Sequence, residues 1–464
     1  MIELPKVTVY IPAFNYAQFV EKAIKSVFNQ TFKNWELIII NDGSTDKTEE
    51  IIRKYESHKL VTIVNQENKG LTVSSNIALR LAGGEYIMRL DGDDYLDENA
   101  LLVMIHFMEK NRDTALVFPD YYLVDEAGEI ISIERRDKVD SDNKLLDMPA
   151  HGACTMFRKK VLRELGGYNE EIECQDGYDI WVRCVQQYKT GNVNLPLFYY
   201  RQHNTSLTKN KKKILETRQY IKNKYARIKR ENSTLNSIKR LAIIPVRAHS
   251  DLEFRLALKK LAGKPVINYT IDEAIKSRKF NRIIVVCEDD LILHHVKKTY
   301  PNINTIKRPM RYARRNTKLE PTIEFVLKKY KTVFEEIMIL FMETPLTNKY
   351  HIAKAIDTMH LFEVDTVTSV CETTNPYYMH DKHGLSRIGN DETFRLERKT
   401  IYEGNGALLL AKNKNLSGKS IMGRRVGHIT MLREDSVKLS SEYDFRVAEM
   451  LLKQRKARKS DPES

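Results

Sequence analysis

Apolar runs of strand length alternate with segments of helical spacing along the amino-terminal part of this chain. The runs cover residues 7–12, 36–40 and 60–65, and apolar side chains recur every three or four residues between them. Such alternation favours a sheet of parallel strands joined by crossover helices. Because the carboxyl ends of parallel strands meet at one edge of a sheet, a ligand site is expected there. The chain is therefore predicted to be an α/β protein.

A cluster of acids stands at the expected edge of this sheet. The Asp-Gly-Asp-Asp stretch at residues 91–94 follows the largely apolar run 86–90, so three carboxylates come where a buried strand reaches a loop. The three repel one another unless a cation joins them, and a divalent metal carrying a diphosphate would supply that charge. The alternative is an Asp-Gly turn with solvated acids. Asp42 and Asn68 follow two neighbouring strands, and we expect them to converge with Asp91.

Several motifs of the first half resemble those of family 2 glycosyltransferases of the GT-A fold, in order and in spacing. The matching strings are VYIPAFNYAQFVEKAIKSVFNQTFKNWELIIINDGSTDKT at residues 9–48, NKGL at 68–71 and LDGDDYL at 90–96. By this resemblance Asp42 would contact the nucleotide base, and Asp91 with Asp93 would bind Mg²⁺ or Mn²⁺. The residues that the resemblance assigns to donor binding are Pro12, Asn15, Asp42, Asn68, Gly70, Asp91 and Gly152.

The catalytic base is expected between residues 175 and 179. The resembling family usually carries Glu-Asp there, whereas this chain reads Gln175-Asp176. Asp176 and Asp179 are both candidates, and we prefer Asp176 because Asp179 belongs to a helix-like run in which a terminal acid has a structural role. His203 lies in a segment similar to the closing motif of the family, where a histidine can complete the metal shell. The alternative for a lone histidine is a structural or solvated side chain.

The reaction that the resemblance implies is displacement at an anomeric carbon, with inversion of its configuration. An acceptor hydroxyl is a weak nucleophile near neutral pH, so Asp176 would take its proton as attack proceeds. The metal would stabilise negative charge on the leaving nucleoside diphosphate. The expected partners are a nucleotide sugar, with UDP as the nucleotide, and a glycan, lipid-linked or protein-linked acceptor. The expected setting is the biosynthesis of a surface polysaccharide.

The resemblance to glycosyltransferases ends near residue 208, and a basic segment follows it. Residues 209–240 hold twelve Lys or Arg against two acids, so they carry +10 of the formal net charge of +14. Apolar side chains at helical spacing predict an amphipathic helix. We interpret it as a connector packed on the first domain, with attraction to anionic lipid as an alternative. Nucleic acid is disfavoured, because only Tyr220 and Tyr225 interleave with the charges.

Cysteine usage and hydropathy favour a cytoplasmic protein, with any membrane contact peripheral and at the inner face. The five cysteines are odd in number and scattered, without paired metal-ligand spacing. The amino terminus shows no basic-then-apolar leader. No apolar run approaches the roughly 18 residues that a membrane-spanning helix needs.

Strand and helix patterns alternate again in residues 241–464, which predicts a second Rossmann-like nucleotide-binding domain after the domain of residues 1–208 and the connector. This half resembles acylneuraminate cytidylyltransferases, which make CMP-activated nonulosonic acids from CTP. The matching strings are IIPVRAHS, LAGKPVINYTIDEAIKS, FNRIIVV, TVTSVCETTNPYY, YEGNGALLL and YDFRVAEMLL. The candidates for nucleotide or sugar binding are Arg247, Lys264, Asn405 and Gly406.

This second half departs from the resembling family where its chemistry is expected. The glycines of the family's phosphate loop are replaced at residues 248–249 by Ala and His, which restricts close backbone approach. Its two magnesium-binding aspartates correspond to Lys438 and Ser440, and a protonated lysine opposes a cation. Asp435 and Asp444 are candidates to compensate. The second domain is therefore predicted to be degenerate, and the alternative is a bifunctional enzyme with an active cytidylyltransferase.

Overall fold

The structure is a computed structural model. It describes residues 4–135, 152–203, 211–231, 238–249, 252–314, 316–373, 377–381, 384–388, 401–418 and 420–460. The chain divides into two compact units, one comprising Met1–Ile221 and Asn375–Lys399, the other Lys222–Thr374 and Thr400–Ser464. The boundaries at residues 208 and 240 stay a prediction.

The first unit alternates strands and helices in the predicted order as far as β4. Its strands are β1 (Val7–Ala13), β2 (Trp35–Asp42), β3 (Val61–Gln66), β4 (Tyr86–Arg89), β5 (Tyr95–Leu96), β6 (Thr114–Val124), β7 (Ile130–Glu134), β8 (Met156–Arg158) and β9 (Lys189–Arg201). Its helices are α1 (Val20–Phe28), α2 (Thr48–Arg53), α3 (Leu71–Leu81), α4 (Ala100–Lys110), α5 (Lys159–Glu164) and α6 (Asp176–Gln187). Helix α7 (Lys211–Glu231) contains the division between the units.

The strands of the first unit form one mixed sheet. Its order is β3-β2-β1-β4-β8-β6-β9-β5, and β7 pairs with β6. The part that the sequence predicted as parallel, β3-β2-β1-β4, is parallel throughout. Strand β8 pairs antiparallel with both β4 and β6, so the sheet as a whole is not parallel. The alternation of patterns along the chain indicates neighbouring crossovers, but it carries no signal for a short strand inserted from far away in sequence.

Helices cover both faces of this sheet. Every residue of β1 is buried, and successive side chains of a strand point to opposite faces. Val9 and Ile11 pack in a cluster that includes Ile24 of α1. Tyr10, between them, packs in a second cluster with Ala78 of α3. Burial on both faces explains why the strands read as continuous apolar runs. The predicted α/β class is confirmed.

The second unit repeats this architecture with a smaller sheet. Its strands are β10 (Arg240–Pro245), β11 (Lys260–Leu261), β12 (Lys264–Pro265), β13 (Arg282–Cys287), β14 (Asn304–Lys307), β15 (Glu336–Leu340), β16 (Thr366–Thr373), β19 (Ile401–Lys412) and β20 (Val426–Thr430). Between β16 and β19 in sequence, β17 (Tyr378–Asp381) and β18 (Gly384–Arg387) form a hairpin that belongs to the first unit. The helices are α8 (Val266–Ser277), α9 (Asp290–Thr299), α10 (Glu320–Leu327), α11 (Lys349–Phe362) and α12 (Glu442–Ser460).

The main sheet of the second unit also mixes strand directions. Its order is β14-β13-β10-β15-β19-β16-β20. Strands β14, β13, β10 and β15 are parallel, while β19 pairs antiparallel with both β15 and β16. The loops after β10, β13 and β15 therefore emerge at one edge, as the loops after β1, β2 and β4 do in the first unit. The prediction of two Rossmann-like domains joined by a basic helix is confirmed.

Candidate active site

The loops after β1 and β2 are tied together at the carboxyl edge of the first sheet. Asn15 has a left-handed backbone with φ of 57°, and its Oδ1 accepts the backbone N–H of Thr45 at 2.8 Å. The N–H of Asn15 donates to Ser44 Oγ at 3.1 Å. Asn15 is exposed at this edge, and Pro12, the second-to-last residue of β1, is buried. Their contact with a nucleotide stays a prediction.

Asp42 ends β2 and holds the loop that follows β3. Its Oδ1 accepts the N–H of Lys69 at 2.8 Å, and its Oδ2 accepts the N–H of Gly70 at 2.9 Å. Gly43 permits this approach, because its φ is 72° and a Cβ there would lie 2.6 Å from the nitrogen of Asn68. The structure thus brings Asp42, Asn68 and Gly70 together. The contact of Asp42 with a base stays a prediction.

The acidic loop after β4 is anchored by Arg201 of β9. The backbone N–H of Arg201 donates to Asp94 Oδ1, and its Nε donates to the carbonyl of Asp93, both at 2.9 Å. Its Nη1 donates to the carbonyls of Asp125 and Glu126. The guanidinium is thus bonded to carbonyl oxygens rather than to the carboxylates of the loop. Asp93 and Asp94 are 8% and 1% exposed, so two buried acids lie side by side.

Arg89, the last residue of β4, links the acidic loop to the first turn of α6. Its guanidinium forms an ion pair with Asp176, and its Nε lies 2.8 Å from Asp91 Oδ1. Gly152 leaves room for this side chain, because a Cβ at that position would overlap the guanidinium. Three residues with predicted metal, base and donor-binding roles, Asp91, Asp176 and Gly152, therefore meet around one arginine.

Burial and neighbouring carboxylates raise the pKa values of Asp91 and Asp94 at this edge. Burial raises the pKa of Asp91 to about 6, and Asp93 and Asp176 act in the same direction while Arg89 opposes them. Burial, Asp93 and Asp91 together raise the pKa of Asp94 well above its usual value. Asp91 Oδ2 accepts a long hydrogen bond from Arg89 Nη2 at 3.5 Å, whereas Asp91 Oδ1 and Asp94 Oδ2 accept none from any residue that the structure describes. Carboxylates in this condition favour a bound cation.

His203 lies beside the acidic loop, with its Nε2 2.8 Å from Asp93 Oδ2. Within the part of the chain that the structure describes, no three His, Cys, Asp or Glu side chains are close enough to hold one metal ion. The reason is that Asp91 meets Arg89 while Asp93 meets His203. The residue types nevertheless fit Mg²⁺ or Mn²⁺, which take carboxylate ligands, and Mn²⁺ also accepts imidazole. The metal-binding roles of these three residues stay a prediction.

The two candidate bases have different surroundings in α6. Asp176 is the first residue of the helix, is 8% exposed and reaches Arg89 beside the acidic loop. Asp179 is fully buried, and its Oδ2 accepts from Arg183 Nη2 of the same helix at 2.6 Å. This geometry favours Asp176 as the base and a structural role for Asp179, and both roles stay predictions.

Two arginines that organise this edge, Arg89 and Arg201, have no role in the sequence-based prediction. Arg89 stands between Met88 and Leu90 in a run that was expected to be buried, and a buried charge needs a partner. The position of Arg89 inside an apolar run could therefore have identified it from the sequence as a charge with a buried partner. Nothing in the surroundings of Arg201 in the sequence singles it out.

In the second unit, a glutamate occupies the loop at the corresponding edge. Glu288 follows β13, and its Oε1 accepts the N–H of Ala248 at 2.6 Å. Its Oε2 lies 3.1 Å from Arg308 Nη2, and the two side chains are 7% and 2% exposed. Burial lowers the pKa of Arg308, with Glu288 opposing this shift and Arg247 adding to it. The carboxylate of Glu288 therefore accepts a hydrogen bond from the loop at Ala248, which corresponds to the phosphate loop of the resembling family.

Lys438 and Ser440 lie close to the end of β15. The N–H of Leu439, between them, donates to the carbonyl of Glu343 at 2.7 Å. Both flanking side chains are exposed. Gly406 has a φ of 64°, and a Cβ there would lie 4.0 Å from Lys438 Nζ. An ammonium group, rather than a carboxylate, therefore lies next to the candidate residue Gly406.

The two acids that could compensate have other partners. Asp435 forms an ion pair with Arg455, and its Oδ2 lies 3.4 Å from His351 Nε2. Asp444 Oδ2 accepts from Ser441 Oγ at 2.8 Å, and the N–H of Asp444 donates back to that oxygen at 3.2 Å. The reciprocal hydrogen bonds between Ser441 and Asp444 cap the first turn of α12. Both acids thus contribute to the fold.

The remaining candidates of the second unit have separate surroundings. Asn405 Nδ2 donates to Ser436 Oγ at 2.9 Å. Lys264 forms an ion pair with Asp272 of α8. Arg247 lies near Arg308, as its effect on that guanidinium indicates. The roles of these side chains toward a nucleotide or a sugar stay predictions.

Helix α7 corresponds to the predicted basic connector, and several of its cations have protein partners. Lys213 Nζ lies 2.8 Å from Glu173, and Lys229 Nζ lies 2.7 Å from Glu363. Lys222 is fully buried. These contacts favour the interpretation of α7 as a packed helix. Among the helices of the described chain, none combines the length and the apolar character needed to cross a membrane.

Comparison with known proteins agrees with both halves of this description. Residues 8–166 match the family model of glycosyl transferase family 2, and residues 241–436 match the cytidylyltransferase model. The uncharacterized glycosyltransferase MJ1057 of Methanocaldococcus jannaschii is 32% identical over 209 residues, which are 43% of this chain and 72% of that protein. The chain belongs to glycosyl transferase family 2. The resemblances stated from the sequence are therefore confirmed.

Larger members of this family are also similar to the chain. Chondroitin synthase of Escherichia coli is 31% identical over 209 residues, covering 44% of this chain and 30% of the synthase. Hyaluronan synthase of Pasteurella multocida is 32% identical over 209 residues, covering 44% of this chain and 22% of the synthase. The chain thus spans less than a third of the length of these two relatives.

A solved structure was also similar, the S. aureus TarS 1–349 complex with UDP-GlcNAc. It is 18% identical, has a TM-score of 0.41, and the match covers 47% of this chain and 65% of that chain. A TM-score this low supports no conclusion, so family membership rests on the sequence matches.

Proposed function

We propose that the first unit transfers a sugar from a nucleoside-diphosphate donor to a glycan or glycoconjugate acceptor. The observation that carries this proposal is the meeting of Asp91, Asp176 and Gly152 around Arg89 in a member of glycosyl transferase family 2. Relatives named as chondroitin and hyaluronan synthases support a role in making a polysaccharide. UDP is the nucleotide that we expect in the donor.

In this proposal each residue at the edge has one task. Pro12, Asn15 and Asp42 border the nucleotide, and Asn68 and Gly70 border it from the loop after β3. Gly152 lies beside the donor sugar. A second set would hold Mg²⁺ or Mn²⁺, and it consists of Asp91, Asp93 and His203. When bound, the metal supplies positive charge that stabilises the departing diphosphate.

Asp176 is the proposed general base. It lies in the first turn of α6, where the partial positive charge of the helix end stabilises a carboxylate, and it already meets Arg89. Its task is to accept the proton of the acceptor hydroxyl as that oxygen attacks the anomeric carbon. A single attack on the face opposite the leaving diphosphate inverts the configuration of that carbon.

The test is a screen of nucleotide sugars with the purified chain and Mn²⁺. A donor at 100 times its dissociation constant should stabilise the unit that binds it by about 2.7 kcal/mol, which thermal unfolding detects. The stabilising donors are then incubated with acceptor oligosaccharides, and release of the nucleoside diphosphate is measured. We expect transfer from one donor class, lost on chelation of the metal. Stabilisation by no nucleotide sugar, with no transfer, would overturn the proposal.

For the second unit we propose a degenerate cytidylyltransferase domain that no longer activates a sugar acid. Lys438 and Ser440 replace acids, and Glu288 holds the N–H of Ala248 that would otherwise be open to a phosphate. A triphosphate would have to displace that carboxylate and would meet its negative charge. We therefore expect no pyrophosphate release from CTP with a nonulosonic acid. Release that needs both compounds would establish the bifunctional alternative.

Location is the last element of the proposal. We expect the chain to act in the cytoplasm, where nucleotide sugars would reach it, and at the inner face of the membrane if α7 contacts lipid. The outward-facing part of α7 includes Tyr220 and Ile228, which are 49% and 42% exposed. These side chains beside the basic residues of the helix support a weak peripheral contact.

A further inference from the structure

We propose that Arg218 of α7 is a positioning residue for Asp176, acting through Gln175. The inference rests on the proposed transferase function, because it concerns the loop that carries the proposed base. That loop, residues 173–175, immediately precedes α6, which begins at Asp176. The loop and the residues of α7 that contact it all belong to the first unit.

The backbone of the loop takes an uncommon conformation just before the base. Gln175 has φ of 62° and ψ of 29°, which is left-handed. Residues other than glycine seldom adopt this region, because their Cβ approaches the following carbonyl. The side chain of Gln175 makes no capping hydrogen bond to α6. Contacts from elsewhere must therefore keep this residue in place.

Helix α7 provides those contacts to three successive residues of the loop. Lys213 Nζ lies 2.8 Å from Glu173 Oε2. Thr217 Oγ1 lies 3.2 Å from Cys174 Sγ. Arg218 Nε donates to Gln175 Oε1 at 2.7 Å. The loop is thus held at each position up to the residue before the base.

Arg218 makes the contact nearest the base and also contacts the helix that carries it. Its guanidinium carbon lies 5.1 Å from the ring centroid of Tyr178, which is 2% exposed in α6. A guanidinium over an aromatic ring is attracted by the ring face. Its hydrogen bond to the neutral amide of Gln175 is charge-assisted, and such bonds are stronger than neutral ones. Arg218 therefore fixes both Gln175 and the first turn of α6.

The consequence for catalysis is geometric. A general base must lie within hydrogen-bond reach of the hydroxyl whose proton it takes, and a shift of about 1 Å can lower a rate by about 10²-fold. Loss of the Arg218 contact frees Gln175 to leave the left-handed region, and the direction of Asp176 changes with it. In the proposed function the nucleotide is bound by the loops after β1, β2 and β3 and the metal by the loop after β4, so donor binding should be little affected.

The experiment compares Arg218→Ala with Arg227→Ala in the full chain. Arg227 is a matched control, because it lies on the same helix, is 74% exposed and pairs at the surface with Glu231. We expect kcat to fall about 10- to 100-fold in Arg218→Ala with the donor KM unchanged. Arg227→Ala should keep both constants. A loss of kcat of equal size in the two variants, or a rise in donor KM without a loss of kcat, would overturn the proposal.

A double-mutant cycle distinguishes positioning from a general effect on the helix. Gln175→Ala should lower kcat by about as much as Arg218→Ala, and the double variant should be no worse than either single variant. Multiplication of the two losses would show that the residues act separately and would contradict the proposal. Arg218→Lys, which keeps a charged donor, should recover part of the lost kcat.

A second readout does not depend on turnover. Hydrogen exchange of backbone amides in residues 173–179 should be faster in Arg218→Ala than in the parent chain and in Arg227→Ala. Unchanged exchange in this segment would overturn the proposal even if kcat fell. If the parent chain transfers no sugar from any donor, the proposed function fails, and the exchange measurement still decides whether Arg218 holds the loop.

Discussion

Acidic side chains gather at the carboxyl edges of both sheets, but the groups around them differ. In the first unit, burial together with the neighbouring Asp93 and Asp91 raises the pKa of Asp94. In the second unit, Glu288 meets Arg308, and Asp435 meets Arg455 and His351. Burial by itself would raise the pKa of Asp435, yet these partners lower it.

This difference supports the proposal that the first edge binds a ligand, whereas the second has become part of the fold. Repelling carboxylates cost stability, and they persist at functional sites because a ligand relieves them. Carboxylates that pair with arginine or histidine need no ligand to relieve repulsion, and breaking a buried pair lowers the stability of the fold. We therefore propose that this type of sheet edge holds a cation in the first unit, whereas in the second unit its acids form ion pairs.

The largest expected effect is the loss of metal-dependent turnover in the first unit. Asp91→Ala or Asp93→Ala should abolish metal-dependent release of nucleoside diphosphate from the donor, because the metal would lose a ligand. Thermal unfolding of the metal-free variants checks that each still folds, because Asp91 also pairs with Arg89 and Asp93 with His203. Asp113→Ala is the control, because Asp113 is 67% exposed and pairs with Lys189 at the surface. Unchanged Mn²⁺-dependent turnover in both variants would remove the acidic loop from the mechanism.

The next effect sharpens the assignment of the base. Asp176→Asn keeps size and hydrogen bonding but cannot take a proton, so kcat should fall by about 10²–10⁴-fold with donor KM little changed. Asp179→Asn should instead lower the free energy of unfolding by about 1–3 kcal/mol, because Asp179 is buried and bonded to Arg183. Steady-state kinetics and urea unfolding of both variants separate the two effects. A larger loss of kcat in Asp179→Asn, with folding preserved, would reverse the assignment.

A smaller effect, on stability, tests the structural ion pairs of the second unit. Glu336 is 3% exposed, and its carboxylate meets Arg240 Nε at 2.6 Å and His360 Nε2 at 2.7 Å. Glu336→Gln should lower the free energy of unfolding of this unit by about 3 kcal/mol at neutral pH. Urea unfolding, monitored by the hydrogen exchange of backbone amides in β15, measures this change. Glu434→Gln, at an exposed position of the same unit, is the control.

The same variant predicts how stability depends on pH. Burial would raise the pKa of Glu336, but His360 and Arg240 outweigh it and the pKa is lowered. The stabilisation by the ionised group is therefore complete above the unfolded-state pKa of about 4.3 and is lost as the pH falls through the lower folded-state value. The difference between the parent chain and Glu336→Gln should shrink over that acid range. A difference that stays constant there would show that the charge of Glu336 contributes nothing.

The smallest effect is expected at α7. Its remaining outward charges should give the chain a modest preference for vesicles with anionic lipid over neutral vesicles, at about 1 kcal/mol for each basic residue near the surface. Cosedimentation should weaken as salt is raised, because salt screens the attraction. Equal binding to both kinds of vesicle, at low and high salt, would leave α7 with the role of a packed helix alone.

The sequence by itself determined the class of the fold and the place of the candidate site. The periods of apolar residues are local, so they predicted β1, β2 and β3 and the helices after them to within a few residues. The motifs also located the acids, glycines and histidine of the edge, since these residues follow strands directly.

Only the tertiary structure decided how those residues are paired. Strand β8 pairs with β4 and β6 from a distant part of the chain, and no local period reports such a partner. Arg89 meets Asp176 across 87 positions, and Glu288 meets Ala248 across 40. The partner of a buried charge is set by the packing of whole elements, and it determines whether a carboxylate is left to repel its neighbours or is neutralised. A list of acids in sequence order therefore cannot distinguish the two edges of this protein.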